Sequence, residues 1–272
     1  MMEPALQRRV QRYGWDKASA HYENLWQAQL KPAQDKLLDF ANIQHGEKII
    51  DIACGTGLVS FQALKTTGEN GFVLGSDISD KMVEIANAEA AKNNFANIRF
   101  ERMGAEELKV NDNEFDVALC ALGLMYVPDP IGALKEMHRV LKPNGRCAIA
   151  VWGNRSSCGW AEIFEIVDKR VSSEVCPMFF NLGNNDMMER SLDAAGFSKI
   201  VFERISTLLY YDSAEQACAA AFAGGPVALP YFRFSDDVKK EVHEEYLASI
   251  GSYKKDDSYF VPGEFVIAIG FR

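Results

Sequence analysis

The chain has 272 residues, 29 basic and 38 acidic, for a net charge of −9; 48% of residues are apolar and 25% charged. The apolar content excludes a mainly disordered chain. The acidic balance argues against general nucleic-acid binding, which recruits Lys and Arg to phosphates, and no apolar run reaches the 18 residues of a membrane span.

In chain order, residues 15–40 read as a helix within an N-terminal helical arm over 1–45, with apolar positions at Trp15, Ala18, Tyr22, Leu25 and Trp26, then Leu37, Leu38 and Phe40. From Lys48 short apolar runs alternate with amphipathic stretches. The runs are Ile49–Ala53, Phe72–Gly75, Ile98–Phe100, Val117–Ala121 and Cys147–Trp152; the helical patterns lie near 58–66, 80–92 and 131–141. This alternation predicts crossover units and a parallel sheet covered on both faces. Residues 157–171 and 184–195 read as helices, Lys199–Ser206 as a strand, and 213–223 and 235–250 as helices around Gly224-Gly225-Pro226. The chain ends in an apolar strand, Phe265–Phe271. The expected organisation is therefore an arm over 1–45, a core over 46–206, a helical cap or lid over 207–257 and a C-terminal core strand within 258–272.

Six cysteines, Cys54, Cys120, Cys147, Cys158, Cys176 and Cys218, form no C-x-x-C pair. The closely spaced ligands of a zinc site are absent, so no metal is expected. The thiols and the lack of a signal-peptide apolar core at the start of the chain point to a reducing cytoplasm.

The strongest chemical signal is the run from Lys48 to Leu58, in which a β-branched strand meets Gly55-Thr56-Gly57 and a helix begins directly after. Glycine permits a sharp turn and a close ligand approach, and the helix start presents free N–H groups. The third glycine of a dinucleotide fingerprint falls at Ser60, so that fingerprint is incomplete. Asp51 precedes the turn, and Asp77, twenty residues after Gly57, ends the next strand. There a carboxylate can accept hydrogen bonds from a ribose diol. Asp77 can alternatively cap the helix from Ser79, although Ser79 is itself a good cap.

Asp51-Ile52-Ala53-Cys54-Gly55-Thr56-Gly57 resembles the first motif of class I S-adenosylmethionine-dependent methyltransferases. The resemblance continues through Gly75–Ser79, Gly104–Leu108, Phe115–Cys120 and Glu136–Arg146 into Val151-Trp152-Gly153, and points to the small-molecule, ubiquinone/menaquinone-biosynthesis branch. It implies a Rossmann-like, doubly wound, mostly parallel seven-stranded α/β sheet with helices on both faces and a helical cap before the last strand. It also implies S-adenosylmethionine as cofactor and S-adenosylhomocysteine as product.

Carried over, Ala53, Gly55 and Gly57 face the methionine end, Asp51 orients its ammonium group and Asp77 takes the ribose hydroxyls. Ile78 and Met82 pack near the adenine, Ala105 offers its N–H to the adenine edge, and the Cys120 carbonyl serves the methionine amino group. Gly104 stands where relatives commonly carry a carboxylate or amide, which leaves Glu106 or water to replace it.

Methyl transfer needs alignment and desolvation, and a base only for a nucleophile of high pKa. The candidates for chemistry are His21, Tyr22 and Tyr126. Candidates for acceptor contact are Trp26, Trp152, Tyr210, Phe222 and Tyr231, whose aromatic density suits an apolar or aromatic small molecule. His21 as a surface residue, Tyr22 and Trp26 as docking residues for the arm, and the late aromatics as ordinary cap core are the alternatives. His138 reads as structural. The rival functions are a nicotinamide-dependent oxidoreductase, a binding protein without turnover, and an RNA methyltransferase. The last is disfavoured by the charge and by Ala121-Leu122-Gly123-Leu124 where a base-flipping tetrapeptide would stand. Monomer and homodimer are both open.

Overall fold

The computed structural model describes residues 3–172 and 176–272, so Met1 and Met2 lie outside the described residues. It opens with one helix, α1 (Pro4–Ala41), much longer than the periodicity from residue 15 predicts. Pro4 suits the first helical turn, where its missing N–H costs nothing, and Asn42 ends the helix in left-handed geometry at φ 43°. The reason for the extra turns lies in the buried stripe. Gln7, Gln11, Gly14 and Ala18 occupy the same face as Trp26, Leu30, Ala33, Leu37 and Ala41. The first half of that stripe is polar or small, so a hydrophobic pattern does not reveal it.

The core follows the expected alternation: β1 (Lys48–Ile52), α2 (Leu58–Thr67), β2 (Phe72–Asp77), α3 (Asp80–Lys92), β3 (Ile98–Arg102), β4 (Phe115–Ala121), α4 (Pro130–Val140) and β5 (Leu141–Trp152). Ser79 caps α3 by accepting from the Met82 N–H, and Asp129 caps α4 by accepting from the Gly132 N–H. Short helices α5 (Ile163–Asp168) and α6 (Met187–Ala194) lead to β6 (Ser198–Tyr211). The helix read over 157–171 shrinks to a 3-10 turn at Arg155–Ser157 and the six residues of α5.

The strand order is β3-β2-β1-β4-β5-β8-β6, where β8 is Ser258–Phe271. A two-residue strand, β7 (Lys254–Lys255), adds an eighth member paired with β8. Strands β3 to β5 are parallel, and β8 runs antiparallel to β5 and β6. The sheet is thus mostly parallel with helices around it, as the fold class requires. The interruption expected from 207 begins after Tyr211, because Thr207–Tyr211 stay paired with Tyr259–Gly263. It contains α7 (Ala214–Cys218), a π-helical turn at Ala219–Ala223, α8 (Ala228–Tyr231) and α9 (Asp236–Ser249).

Strand order reverses between β1 and β4, the topological switch point where ligands of open α/β sheets bind beyond the strand carboxyl ends. The backbone there is strained. Ala53 (φ 55°) and Leu122 (φ 62°) follow β1 and β4 in left-handed geometry without being glycine. The two loops also touch: a Cβ on Gly123 would sit 2.3 Å from the Ala53 Cβ.

Candidate active site

A cleft of about 750 Å³ lies over this switch point. Its walls are the β1 end (Ala53, Gly55), the β2 end (Asp77, Ile78, Met82), the loop Met103–Glu106, the β4 end (Ala121–Gly123, Tyr126) and the polar stretch of α1 (Arg8, Gln11, Trp15, Tyr22). Three ties pin α1 across it. Arg8 pairs with Glu106 at 2.6 Å, Arg12 pairs with Asp80, and Asp16 accepts from the Ser79 hydroxyl at 2.6 Å.

Asp77 accepts from the Gly55 N–H at 2.9 Å with one oxygen and from the Ser79 N–H at 2.8 Å with the other. The capping and ligand readings of Asp77 therefore coexist: it holds the glycine turn against the α3 start, and each oxygen retains a lone pair. Burial pushes its carboxyl above the ordinary range, while the N–H groups of Ser79, Gly55 and Ile78 oppose the rise.

A recess of about 280 Å³ adjoins the cleft, sharing Tyr22, Ala53, Gly55 and Ala121, and reaches Asp51 and Gln34. Asp51 is 1% exposed. Its Oδ2 accepts from the Ser60 hydroxyl at 2.5 Å, and its Oδ1 has no partner. Burial raises the carboxyl to about 7, with the Ser60 hydroxyl pulling the other way and the charge of Asp77 adding to the rise. Serine stands at the third fingerprint position because its hydroxyl holds Asp51, which a glycine cannot do.

These features fit S-adenosylmethionine. An orphaned buried carboxylate oxygen calls for a cationic donor such as an ammonium group, since an unpaired buried charge is costly. Asp77 offers acceptors for hydroxyls, and Ile78 and Met82 provide an apolar surface beside it.

A third chamber, of about 330 Å³, shares Trp15, Tyr22, Leu122 and Tyr126 with the cleft. Trp26 and Trp152 line it. Trp26 donates its indole N–H to the Ala220 carbonyl at 3.2 Å, so it docks α1 as well as lining the chamber. Tyr22 borders all three spaces. Burial, then the charge of Asp77, pushes its phenol above its usual range, and burial does the same to Tyr126. Both tyrosines hold their protons at neutral pH, which suits donors and walls rather than bases.

Several expected site residues fall elsewhere. His21 is exposed and stacks on Phe232, with ring centroids 6.2 Å apart; at that turn α1 presents Tyr22 and Ala18 inward. Tyr210 is 44% exposed on β6 and packs on Phe260, because the strand continues past the expected boundary and turns this side chain to solvent. Phe222 is fully buried among Tyr231, His243 and Tyr246, and Tyr231 bonds His243 through its hydroxyl at 3.0 Å. Both belong to the core of the late helices.

Gly57 lines none of the three spaces described above. A Cβ there would lie 2.9 Å from Phe100 and Phe61, so aromatic packing and φ 91° at the start of α2 require the glycine. Cys120 is buried in β4, one residue short of the cavity, and Ala121 lines both cleft and recess. Glu106 is committed to Arg8 and to the Asp129 N–H at 3.0 Å. The pattern reading misses Gln11 and Gln34, which are polar residues on the inner stripe of α1, the partly exposed Arg8 at the cleft, and also Trp160 and Phe179.

Among the described residues, no group of three or more His, Cys, Asp or Glu side chains is arranged to hold a metal, and no helix is long and apolar enough to cross a membrane. All six cysteines are free thiols.

Fold and cleft resemble those of class I S-adenosylmethionine-dependent methyltransferases, and comparisons with known proteins point the same way. A family model described as "Methyltransferase domain" matches residues 43–176. The chain resembles the ubiquinone/menaquinone-biosynthesis enzymes. Demethylmenaquinone methyltransferase of Geobacillus kaustophilus is 32% identical over 149 residues, covering 53% of this chain and 63% of that protein. Ubiquinone/menaquinone biosynthesis C-methyltransferase of Idiomarina loihiensis is 27% identical over 184 residues, covering 62% and 73%. The match to the first of these spans less than two thirds of its length. Among solved structures, the Bacillus YcgJ protein superposes with TM-score 0.62 at 16% identity, covering 89% of this chain and 98% of that one. Phosphoethanolamine N-methyltransferase 2 of Haemonchus contortus, solved with S-adenosyl-L-methionine, gives 0.61 at 18% identity, covering 94% and 57%. At these identities the structural likeness speaks for the fold.

Proposed function

We propose that the protein transfers a methyl group from S-adenosylmethionine to O, N or C of a small apolar or aromatic acceptor. The observation that carries this reading is the buried Asp51 oxygen without a partner, set in the glycine-turn recess beside Asp77. In this reading Asp51 holds the methionine ammonium group. Gln34, 4% exposed and facing the same recess, takes the carboxylate end. Asp77 binds the ribose hydroxyls, Ile78 and Met82 flank the adenine, and the Ala105 N–H meets its edge. Gly55 admits the cofactor where a Cβ would approach Tyr22 at 3.8 Å.

The cofactor supplies a methyl group on a sulfonium, an excellent leaving group. The protein's task is then alignment and exclusion of water. Helix α1 performs the exclusion, held by Arg8 on Glu106 and Arg12 on Asp80. The acceptor lies against Tyr22, Tyr126, Trp26 and Trp152. The interruption over 212–257 serves as substrate cap, with Gly225 and Pro226 at the chamber wall. Free cysteines throughout suit a cytoplasmic protein.

Calorimetric titration with S-adenosylmethionine, S-adenosylhomocysteine and NADH tests the reading. The expected result is micromolar binding of the first two and none of NADH, with Asp77→Ala weakening binding by about tenfold or more. Binding of NADH alone, or of nothing, would refute it.

A further inference from the structure

Four side chains, Trp15, Tyr22, Leu122 and Tyr126, line both the cleft and the aromatic chamber, so together they form the neck between the two spaces. Three of them are rings locked to one another. Trp15 meets Tyr22 edge-on with centroids 5.7 Å apart and Tyr126 edge-on at 5.2 Å. Tyr126 packs in turn on Phe179 at 5.3 Å. Rings held on more than one side do not turn aside without losing those contacts. The fourth side chain, Leu122, is aliphatic and 6% exposed.

The backbone of Leu122 is the unusual feature of this neck. It stands in left-handed geometry at φ 62°. Most of the other non-glycine residues in that region are asparagine or aspartate, whose short polar side chains tolerate it; Leu122 is the single branched aliphatic residue there among the described residues. Contacts on both sides hold it in place. Leu122 donates its N–H to the Ala150 carbonyl at 2.8 Å, and the next residue, Gly123, lies so close to the β1 loop that a Cβ on it would sit 2.3 Å from the Ala53 Cβ. Strain of this kind persists only where neighbours over-determine the conformation, and it collects at functional sites. Its effect is specific. An extended strand presents only alternate residues to one side, yet Ala121, Leu122 and Gly123 all line the cleft, and the turn puts Leu122 at the neck as well.

Resting on the methyltransferase reading above, we infer that Leu122 is a specificity-determining residue for the alkyl group that is transferred, closing the neck to groups larger than methyl. In that reading Asp51 holds the amino-acid end of the cofactor and Asp77 the ribose, so the sulfonium lies between them. Tyr22, alone among the described residues, borders recess, cleft and chamber. The group handed to an acceptor in the chamber therefore crosses the neck beside Tyr22. The pinned backbone keeps the Leu122 side chain from retreating, and the locked rings keep the remaining wall from yielding. Glycine at position 122 would relieve the strain and widen the passage.

Calorimetric titration with S-adenosylmethionine, its S-ethyl and S-propyl homologues and S-adenosylhomocysteine tests this. The three sulfonium ligands share charge, nucleoside and amino-acid end and differ only in the alkyl group. The S-ethyl and S-propyl homologues should bind the unaltered protein about ten- to a hundredfold more weakly than S-adenosylmethionine, the range that overpacking spans. In Leu122→Gly that gap should close to within about threefold. S-adenosylhomocysteine carries no such group, so its affinity should stay within about twofold. Leu122→Ala should shift the homologues in the same direction and serves where the glycine variant folds poorly; the comparison on the unaltered protein needs no variant. Equal binding of all three sulfonium ligands to the unaltered protein would overturn the inference. So would an undiminished gap in both variants, or a loss of affinity shared by every ligand including S-adenosylhomocysteine, which is what a merely structural role for Leu122 produces. Failure of S-adenosylhomocysteine to bind the unaltered protein would refute the cofactor reading itself, and this inference with it.

Discussion

Replacing Asp51 by Asn separates the role of this carboxylate in binding from its effect on stability. In the folded chain the carboxyl is raised from 3.8 to about 7. That difference corresponds to a penalty of roughly 4 kcal/mol for holding the charged form. The folded state binds the proton more tightly than the unfolded state. Stability from this group is therefore greatest below pH 4 and declines as pH rises through 7. Asparagine keeps an oxygen for Ser60 but buries an amide, which costs about 1–3 kcal/mol. Asp51→Asn should thus be more stable than the parent at pH 8 by on the order of 1–3 kcal/mol. Its stability should also lose the slope between pH 4 and 7. The same change should weaken S-adenosylhomocysteine by about one to two decades, the worth of a charge-assisted hydrogen bond. Urea unfolding across pH 4–8 and calorimetric titration at pH 8 measure both quantities. A variant that binds like the parent, or one that is less stable at pH 8, would refute the argument that the unpaired oxygen is kept for a cationic ligand.

Other outcomes follow from the same geometry. In the parent, cofactor affinity should rise with pH through about 7 as Asp51 ionises, with proton release visible as a buffer-dependent binding enthalpy. Gly57→Ala places a Cβ 2.9 Å from Phe100 and Phe61 at φ 91° and should cost about 1–3 kcal/mol in thermal or urea unfolding. Gly104→Ala, with nothing within 4 Å of the added atom, should stay within about 0.5 kcal/mol of the parent. Arg12→Ala releases one tie of α1 to Asp80 and should speed both cofactor dissociation and proteolysis near the start of the helix. Stopped-flow displacement and limited digestion read these two effects. His21→Ala should leave methyl transfer within about twofold of the parent, because the ring faces Phe232 at the surface.

The parallel core was legible in the chain, and so were the residues gathered at the glycine turn of the candidate site. Strands buried on both faces appear as apolar runs, and a turn that must bend sharply appears as glycine, so β1 to β5, the Gly55 turn, Asp51 and Asp77 were all legible. These are local signals, set by residues adjacent in the chain. Helix α1 was legible only where its inner stripe is apolar; from Gln7 to Gly14 that stripe faces a polar cleft and carries no hydrophobic period. The aromatic chamber depended on tertiary structure alone. Nothing near Tyr210, Phe222 or Tyr231 distinguishes aromatics that pack on solvent-side strands or in a cap core from aromatics that line a chamber. That distinction came from the path of β6 to Tyr211 and from long-range packing, which brought Trp15, Trp26, Trp152 and Trp160 around one space. Burial of an isolated donor or acceptor, such as the Trp160 N–H or the Asp51 oxygen, is likewise a property of the assembled neighbours and not of the residue, which is why both emerged only in three dimensions.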